Sequence, residues 1–247
     1  MKKTTVACLA LTAAAFLLAF YFYPLLPKRM ASHWNAAGAV DGYASKEFAL
    51  FSIPVLSLAL LGLFLLLPRI DPLRRNYAAF QRYYDAFVVL LIAFLFYLFL
   101  LTLAWNFGVV FSMPLVLAPA FAALFYFVGV LLERAKRNWF VGIRTPWTLS
   151  SERVWVRTHA LGAKLFKACG VAALLGVVFP DLAFVLVIAP VLAATAFSAA
   201  YSFFEFKKEE KLKKKKRKNG LKRKTTAEQA LTLRRINASN KTTRRLP

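Results

Sequence analysis

Residues 86–104 read AFVVLLIAFLFYLFLLTLA, and this stretch decides the fold class. It contains no charged residue, and 14 of its 19 residues are Val, Ile, Leu or Phe. A helix of this length covers about 28 Å at about 1.5 Å per residue, close to the bilayer hydrocarbon core of about 30 Å. On the membrane-insertion scale these side chains favour insertion by roughly 4 to 8 kcal/mol. The stretch therefore predicts a transmembrane helix.

Other apolar blocks lie on both sides of this stretch. They cover residues 5–23, 49–67, 114–132, roughly 165–179, and 182–204. The chain is 60% hydrophobic, with a mean hydropathy of +0.55, although its formal net charge is +23. The charges are confined mostly to the segments between the blocks, which is typical of a bilayer protein. We predict an all-α fold, a polytopic transmembrane helical bundle of about six spans.

Two of the blocks allow more than one interpretation. Lys2 and Lys3 precede the first block, as in a signal peptide, but its aromatic end and the lack of a small-residue cleavage site favour an uncleaved span. The fifth block is continuously apolar only over residues 168–179. Its helix is predicted to begin at Ser150 or Ser151 and to follow the membrane interface before entering the bilayer.

The distribution of basic residues predicts the orientation. With a cytoplasmic amino terminus, the segments outside the cell carry only Lys28, Arg29 and Lys46 as basic residues, and the other basic residues of the connecting segments lie inside. The positive-inside rule thus predicts a multi-pass protein of the cell membrane with both termini in the cytoplasm. We predict three regions: a two-span unit over 1–67, a four-span unit over 68–206, and a tail over 207–247.

The tail is strongly basic. It holds 17 of the 34 Lys and Arg residues and three Glu residues. Because such a composition buries little apolar surface, we expect a disordered cytoplasmic tail. It should be attracted to anionic lipid headgroups by roughly 1 kcal/mol per basic residue near the surface. The Lys-rich run has no stacking aromatic residues, so no specific nucleic-acid partner is predicted.

A first polar segment, residues 24–47, reads PLLPKRMASHWNAAGAVDGYASKE. Its glycines and polar residues, flanked by Trp and Tyr, predict an extracytoplasmic loop at the membrane interface. One His and one Asp are too few ligands for a specific metal site, so no metal is predicted. The candidate interaction residues are His33, Trp34, Asn35, Gly38, Asp41 and Gly42.

A second polar segment, residues 138–159, reads NWFVGIRTPWTLSSERVWVRTH and is predicted to be cytoplasmic. Its three Trp residues and basic groups suit either an interfacial connector or a surface that binds a partner or regulator. The candidate interaction residues are Asn138, Trp139, Gly142, Arg144, Thr145, Pro146, Trp147, Glu152, Trp155 and His159.

This second segment resembles the hallmark of the SdpI family of membrane proteins, and HWNAAGAVDGY resembles a membrane domain of unknown function that often precedes it. The resemblance covers roughly residues 5–200. It implies immunity to a secreted, membrane-active peptide toxin and capture of a transcriptional repressor at the membrane. The loop with His33, Asn35 and Asp41 would then face the toxin, and the second segment would dock the regulator. The Lys-rich tail departs from the family pattern.

The sequence contains none of the common catalytic motifs: no HExxH, no GxSxG, no phosphate-binding Gly loop and no CxxC. We therefore predict binding rather than catalysis, with no cofactor. A small-solute transporter or channel is the alternative, suggested by Pro54, Pro119 and Pro190 within the blocks but opposed by the lack of ionisable groups in the first four. A third interpretation is a membrane-embedded enzyme that uses the second polar segment.

Overall fold

The protein is described here from a computed structural model that covers residues 2–243, with side chains described for residues 3–215, 217–219 and 228. The helices and strands follow in this order: α1 Lys2–Phe22, β1 Arg29–Trp34, β2 Val40–Ser45, α2 Lys46–Ile70, α3 Gln81–Asn106, α4 Met113–Arg134, α5 Pro146–Ser150, α6 Glu152–Leu175 and α7 Ala183–Thr243. Short 3-10 turns cover Tyr23–Leu25, Arg74–Ala79 and Pro180–Leu182.

The predicted helical membrane bundle is confirmed. Within the described residues, five helices are long and apolar enough to cross a membrane, rather than the six that the apolar blocks predicted. They cover Lys3–Leu25, Lys46–Ile70, Gln81–Asn106, Met113–Arg134 and Pro180–Asn219. The fifth block belongs to α6, which does not reach this apolarity because its first half carries several charged residues.

Helix α6 nevertheless lies antiparallel beside α4 for most of its length. A Cβ atom added to Gly129 would lie 2.6 Å from the carbonyl oxygen of Ala163, and one added to Gly170 would lie 2.7 Å from that of Ala122. Glycine is required at both positions because the two backbones approach closely there. As predicted, α6 begins at Glu152, and the Ser151 side chain accepts a hydrogen bond from the backbone N–H of Val154.

Helices α1, α2 and α3 enclose a buried core in two parts. One part, around Leu50 and Phe99, lies next to the strands, and the other, around Leu61 and Ile92, lies toward the opposite end of the helices. In the second part, the hydroxyl of Tyr84 on α3 donates to the carbonyl oxygen of Phe64 on α2 over 2.6 Å. This bond joins α2 to α3 at the end of the bundle away from the strands.

The two strands are a feature that the all-α prediction missed. β1 and β2 pair antiparallel, with Arg29 opposite Ser45, and form a hairpin where a loop was predicted. Met30 and Ala31 of β1 are buried against the bundle. Pairing gives the backbone N–H and C=O groups of this segment hydrogen-bond partners within the protein, so they do not depend on water.

The chain divides into two compact units, Met1–Ser202 and Phe203–Pro247. The structure continues α7 through the basic tail to Thr243, which differs from the predicted disorder. Lys, Leu, Glu and Arg all favour helix, and Lys213 pairs with Glu209 one turn away over 2.5 Å. Residues 244–247 of the predicted tail lie outside the described residues. The predicted domain boundaries stay a prediction.

Candidate functional site

The hairpin, residues 29–45, reverses direction through a turn that its own side chain stabilises. Asn35 Oδ1 accepts hydrogen bonds from the backbone N–H groups of Ala37 and Ala39, each over 3.0 Å. Gly38 completes the turn with a φ of +81°, a conformation that residues with a side chain rarely adopt. A Cβ atom on Gly38 would also lie 2.9 Å from Ser112 Oγ. The turn therefore packs against the start of α4.

Polar side chains of the bundle fasten the hairpin in place. Asn106, at the end of α3, accepts from Ala31 N–H over 2.8 Å and donates to the Ala31 carbonyl oxygen over 3.0 Å. Trp34 packs edge-to-face on Trp105, with ring centroids 5.8 Å apart. The hairpin is thus a fixed platform rather than a loose loop.

His33 and Asp41 form an exposed pair on this platform. His33 Nδ1 lies 2.5 Å from Asp41 Oδ1, and the two side chains are 71% and 44% exposed. Gly42 lies opposite His33, where a Cβ atom would approach His33 Cβ to 2.8 Å. In the described part of the chain, no three His, Cys, Asp or Glu side chains converge as metal ligands. The pair offers one charged, hydrogen-bonding contact to an outside molecule.

At the opposite end of the bundle, residues 135–151 form a folded segment that we call the cap. Asn138 is fully buried at its centre. Its Oδ1 accepts from the backbone N–H groups of Phe140 and Val141 over 2.9 and 2.6 Å, and its Nδ2 donates to the carbonyl oxygens of Lys136 and Val141, each over 2.9 Å. Asn138 therefore organises the cap backbone.

The cap is held against the connection between α2 and α3. Asp71, which is 2% exposed, accepts from the backbone N–H groups of Leu73 over 2.6 Å and Trp139 over 2.9 Å. Asn76 Nδ2 donates to the Arg137 carbonyl oxygen over 2.6 Å. Burial, together with the nearby Asp71 carboxylate, raises the pKa of the Tyr77 hydroxyl above its ordinary value. Sequence reasoning missed these partners, because they lie more than 60 residues from the cap.

His159 fastens the cap to α6. Its Nε2 accepts from the backbone N–H of Ile143 over 3.1 Å, and its Nδ1 lies 2.9 Å from the Trp155 carbonyl oxygen. Since a carbonyl oxygen only accepts, Nδ1 carries the proton and the ring is neutral. The ring stacks on Trp155 with a centroid distance of 3.9 Å. Gly142, with a φ of +115°, faces this ring, and a Cβ atom there would collide with His159 Nε2.

Thr145, in the cap, contacts α5 and α7. It caps α5 through reciprocal hydrogen bonds with Thr148, and its hydroxyl lies 2.9 Å from Ser202 Oγ on α7. Arg144, the preceding residue, is exposed and donates from Nη1 to the Trp139 carbonyl oxygen over 3.0 Å. The guanidinium therefore extends from a rigid backbone.

The sixteen candidate residues fall into two groups at opposite ends of α2, α3 and α4, six in or beside the hairpin and ten in or beside the cap. Their exposure separates two roles. The exposed members, which can contact a partner directly, are His33, Asp41, Trp139, Arg144, Pro146 and Glu152. The buried members, which can only position others, are Gly38, Asn138, Trp155 and His159. The remaining six, Trp34, Asn35, Gly42, Gly142, Thr145 and Trp147, are partly exposed.

Known protein families match the regions of the chain that contain the two groups. Residues 134–202 match the SdpI/YfhL protein family, and residues 10–58 match a domain of unknown function, DUF1648. The immunity protein SdpI of Bacillus subtilis (strain 168) is 27% identical over 211 residues, covering 84% of this chain and 98% of that protein. No solved structure matches. The resemblance seen in the two polar segments is thus confirmed, and this membrane protein is similar to the SdpI immunity protein over most of its length.

Proposed function

We propose that this chain protects a membrane against a peptide toxin, recruits a cytoplasmic regulator, or does both, and that it acts by binding rather than by catalysis. The observation that carries this proposal is the match to an immunity protein over 98% of that protein's length. The two family models cover the hairpin and the cap. The geometry supports it because each group presents exposed side chains on a backbone that buried residues hold in place.

The hairpin is the proposed toxin-facing surface. An exposed histidine and carboxylate pair that stands outside an apolar bundle can bind the polar or terminal groups of a peptide. Toxin binding at this surface would hold the peptide at the membrane face, before it inserts.

Protection assays test this proposal directly. The full chain is expressed in cells that a membrane-active peptide kills, and survival is compared for wild type, His33→Ala and Asp41→Ala. The matched control is Tyr43→Ala, because Tyr43 is 58% exposed on the same hairpin but lies outside the pair. We expect the pair variants to lose protection and the control to retain it. Equal killing with and without the wild-type chain, across candidate toxins, would overturn the toxin role.

The cap is the proposed docking surface for a cytoplasmic regulator. Trp139 is 50% exposed, although its backbone N–H is fixed by buried Asp71. Large aromatic side chains on rigid backbones are typical centres of protein interfaces. Recruitment of a fluorescent repressor candidate to the membrane should decrease in Trp139→Ala and persist in Lys136→Gln, a neighbouring exposed position. Recruitment that is identical in both variants would contradict docking at the cap.

The docking proposal requires the cap and both termini to be cytoplasmic. Support comes from the basic residues around the cap and from the antiparallel contact of α6 with α4, since a helix that lies along a span crosses the same layer. We therefore propose six crossings, with α6 as the fifth.

Cysteine labelling tests this topology, in a background with Cys8 and Cys169 replaced. Single cysteines at Asp41 and at Val178, between α6 and α7, should react with a membrane-impermeant reagent from outside. A cysteine at Lys136 should react only after permeabilisation. Labelling of position 178 from the inside alone would show that α6 does not cross.

The basic tail is a third proposed contact, with anionic headgroups of the inner leaflet. The charge of the tail supports this proposal, because each basic residue near the surface contributes roughly 1 kcal/mol. Such attraction would favour membranes whose cytoplasmic leaflet is rich in anionic lipid.

A further inference from the structure

A cavity of about 520 Å³ lies under the cap, within the first compact unit. Its apolar walls come from α2 and α3 on one side, α7 on the other, and α4 and α6 between them. Phe64, Phe87 and Phe166 contribute aromatic rings to these walls. The cap residues 140–145 form its upper end. The volume lies within the range of about 300 to 1,000 Å³ that is usual for small-molecule sites.

The cavity is partly open, and one of its lining residues, Thr195, lies in the part of α7 that is apolar enough to cross a membrane. Thr195 lines the cavity and is exposed, and it lies twelve residues after the start of α7, which corresponds to roughly 18 Å of helix. Its hydroxyl donates to the Val191 carbonyl oxygen over 2.8 Å, so this hydroxyl needs no hydrogen-bond partner from a ligand. The molecules that meet this opening are therefore membrane lipids rather than water-soluble ligands.

The upper end of the cavity carries one cation. Arg144 lines it, and in the described part of the chain no carboxylate pairs with this guanidinium. Its one hydrogen bond within the protein, to the Trp139 carbonyl oxygen, leaves most of its five N–H donors available. Arginine is well suited to bind phosphate, because its planar donors match two phosphate oxygens at once.

We propose that this cavity binds one anionic phospholipid, with an acyl chain between α3 and α7 and the phosphate on Arg144. The apolar walls, the opening at chain depth and the uncompensated cation at headgroup level together select this occupant. A zwitterionic lipid would bring its own cation close to Arg144 and bind less tightly. The lipid would contact the underside of the cap at Gly142 and Ile143, so its presence would support the docking surface above it.

Native mass spectrometry of the full chain in detergent tests this proposal, with phosphatidylglycerol and phosphatidylcholine as the added lipids. The titration is run in about 1 M salt, where the Debye length of about 3 Å suppresses diffuse attraction to the basic tail. We expect one phosphatidylglycerol to remain bound to the wild type. Arg144→Gln should weaken this binding about tenfold, as expected for loss of a charge-assisted phosphate contact.

Two further variants keep the result interpretable. Lys136→Gln removes a charge from the same face outside the cavity and should bind lipid as the wild type does. Ala199→Phe fills the cavity from α7 without changing charge and should also lose the lipid, and its thermal unfolding midpoint reports whether it folds. Equal affinity for both lipids, or equal binding by wild type and Arg144→Gln, would overturn the proposal.

Discussion

Replacing Gly142, the glycine of the cap, by alanine should destabilise the protein more than the same change at Gly108 or Gly62. Its φ of +115° is unfavourable for a residue with a side chain, and the added Cβ atom would collide with His159 Nε2. That nitrogen accepts the backbone N–H of Ile143, so the collision also disturbs the bond that fastens the cap to α6. Two costs therefore act together at this position.

Each cost has a known size. A left-handed conformation costs an alanine about 1 to 2 kcal/mol, and overpacking with loss of a buried hydrogen bond adds about 1 to 3 kcal/mol. Gly108 allows the conformational cost to be measured without the overpacking cost, because its φ is +92° but no atom lies within 4 Å of its added Cβ. Gly108→Ala should thus carry only the conformational cost. Gly62, in α2 with open space around it, should tolerate alanine.

Thermal unfolding in detergent, followed by Trp fluorescence, measures these differences. The free energy of unfolding should fall by about 2 to 5 kcal/mol for Gly142→Ala, equivalent to roughly 2 to 4 °C per kcal/mol in a chain of this size. Combining it with His159→Ala should recover part of the loss, since the two changes share one contact. Equal midpoints for Gly142→Ala and Gly108→Ala would refute the contact with His159.

Three other outcomes follow from the contacts described above. Asn138→Ala should lower the free energy of unfolding by about 2 to 5 kcal/mol, measured in the same way, because the buried N–H groups of Phe140 and Val141 lose their acceptor. Asn106→Ala should speed amide hydrogen exchange at Ala31 about tenfold or more while leaving the cap unchanged, and unchanged exchange would show that the hairpin is held elsewhere. In liposomes, anionic lipid should slow trypsin cleavage of the basic tail, and about 1 M salt should remove the difference.

Local sequence patterns predicted the features that depend only on neighbouring residues. Apolar length predicted the helices that can span a bilayer, and the serine before Glu152 predicted the start of α6. The span predicted at the fifth apolar block does not stand out by hydropathy, because α6 combines charged residues with close packing on α4. A hydropathy window records the charges but not the packing, since it does not include the neighbouring helix.

Long-range contacts were beyond the sequence argument. The hydrogen bond from Trp139 N–H to Asp71 joins residues 68 positions apart, and no local sequence pattern predicts it. The hairpin was missed for a different reason: its strands are six residues long, and the glycines and polar residues of this segment favoured a loop. The turn lies at Asn35 to Ala39, where an asparagine side chain accepts the turn's N–H groups.

The buried polar residues of the cap have one task in common. Asp71, Asn138 and His159 accept the backbone N–H groups of residues 139, 140, 141 and 143, so three side chains hold almost every donor of this stretch. Backbone N–H groups that are buried outside a helix or strand need acceptors of this kind, because an unpaired buried donor is costly. Loss of function on changing these residues would therefore report loss of cap structure. The exposed candidates in and beside the cap, such as Trp139 and Arg144, can distinguish partner contact from folding, and they are the positions at which function should be measured with stability held constant.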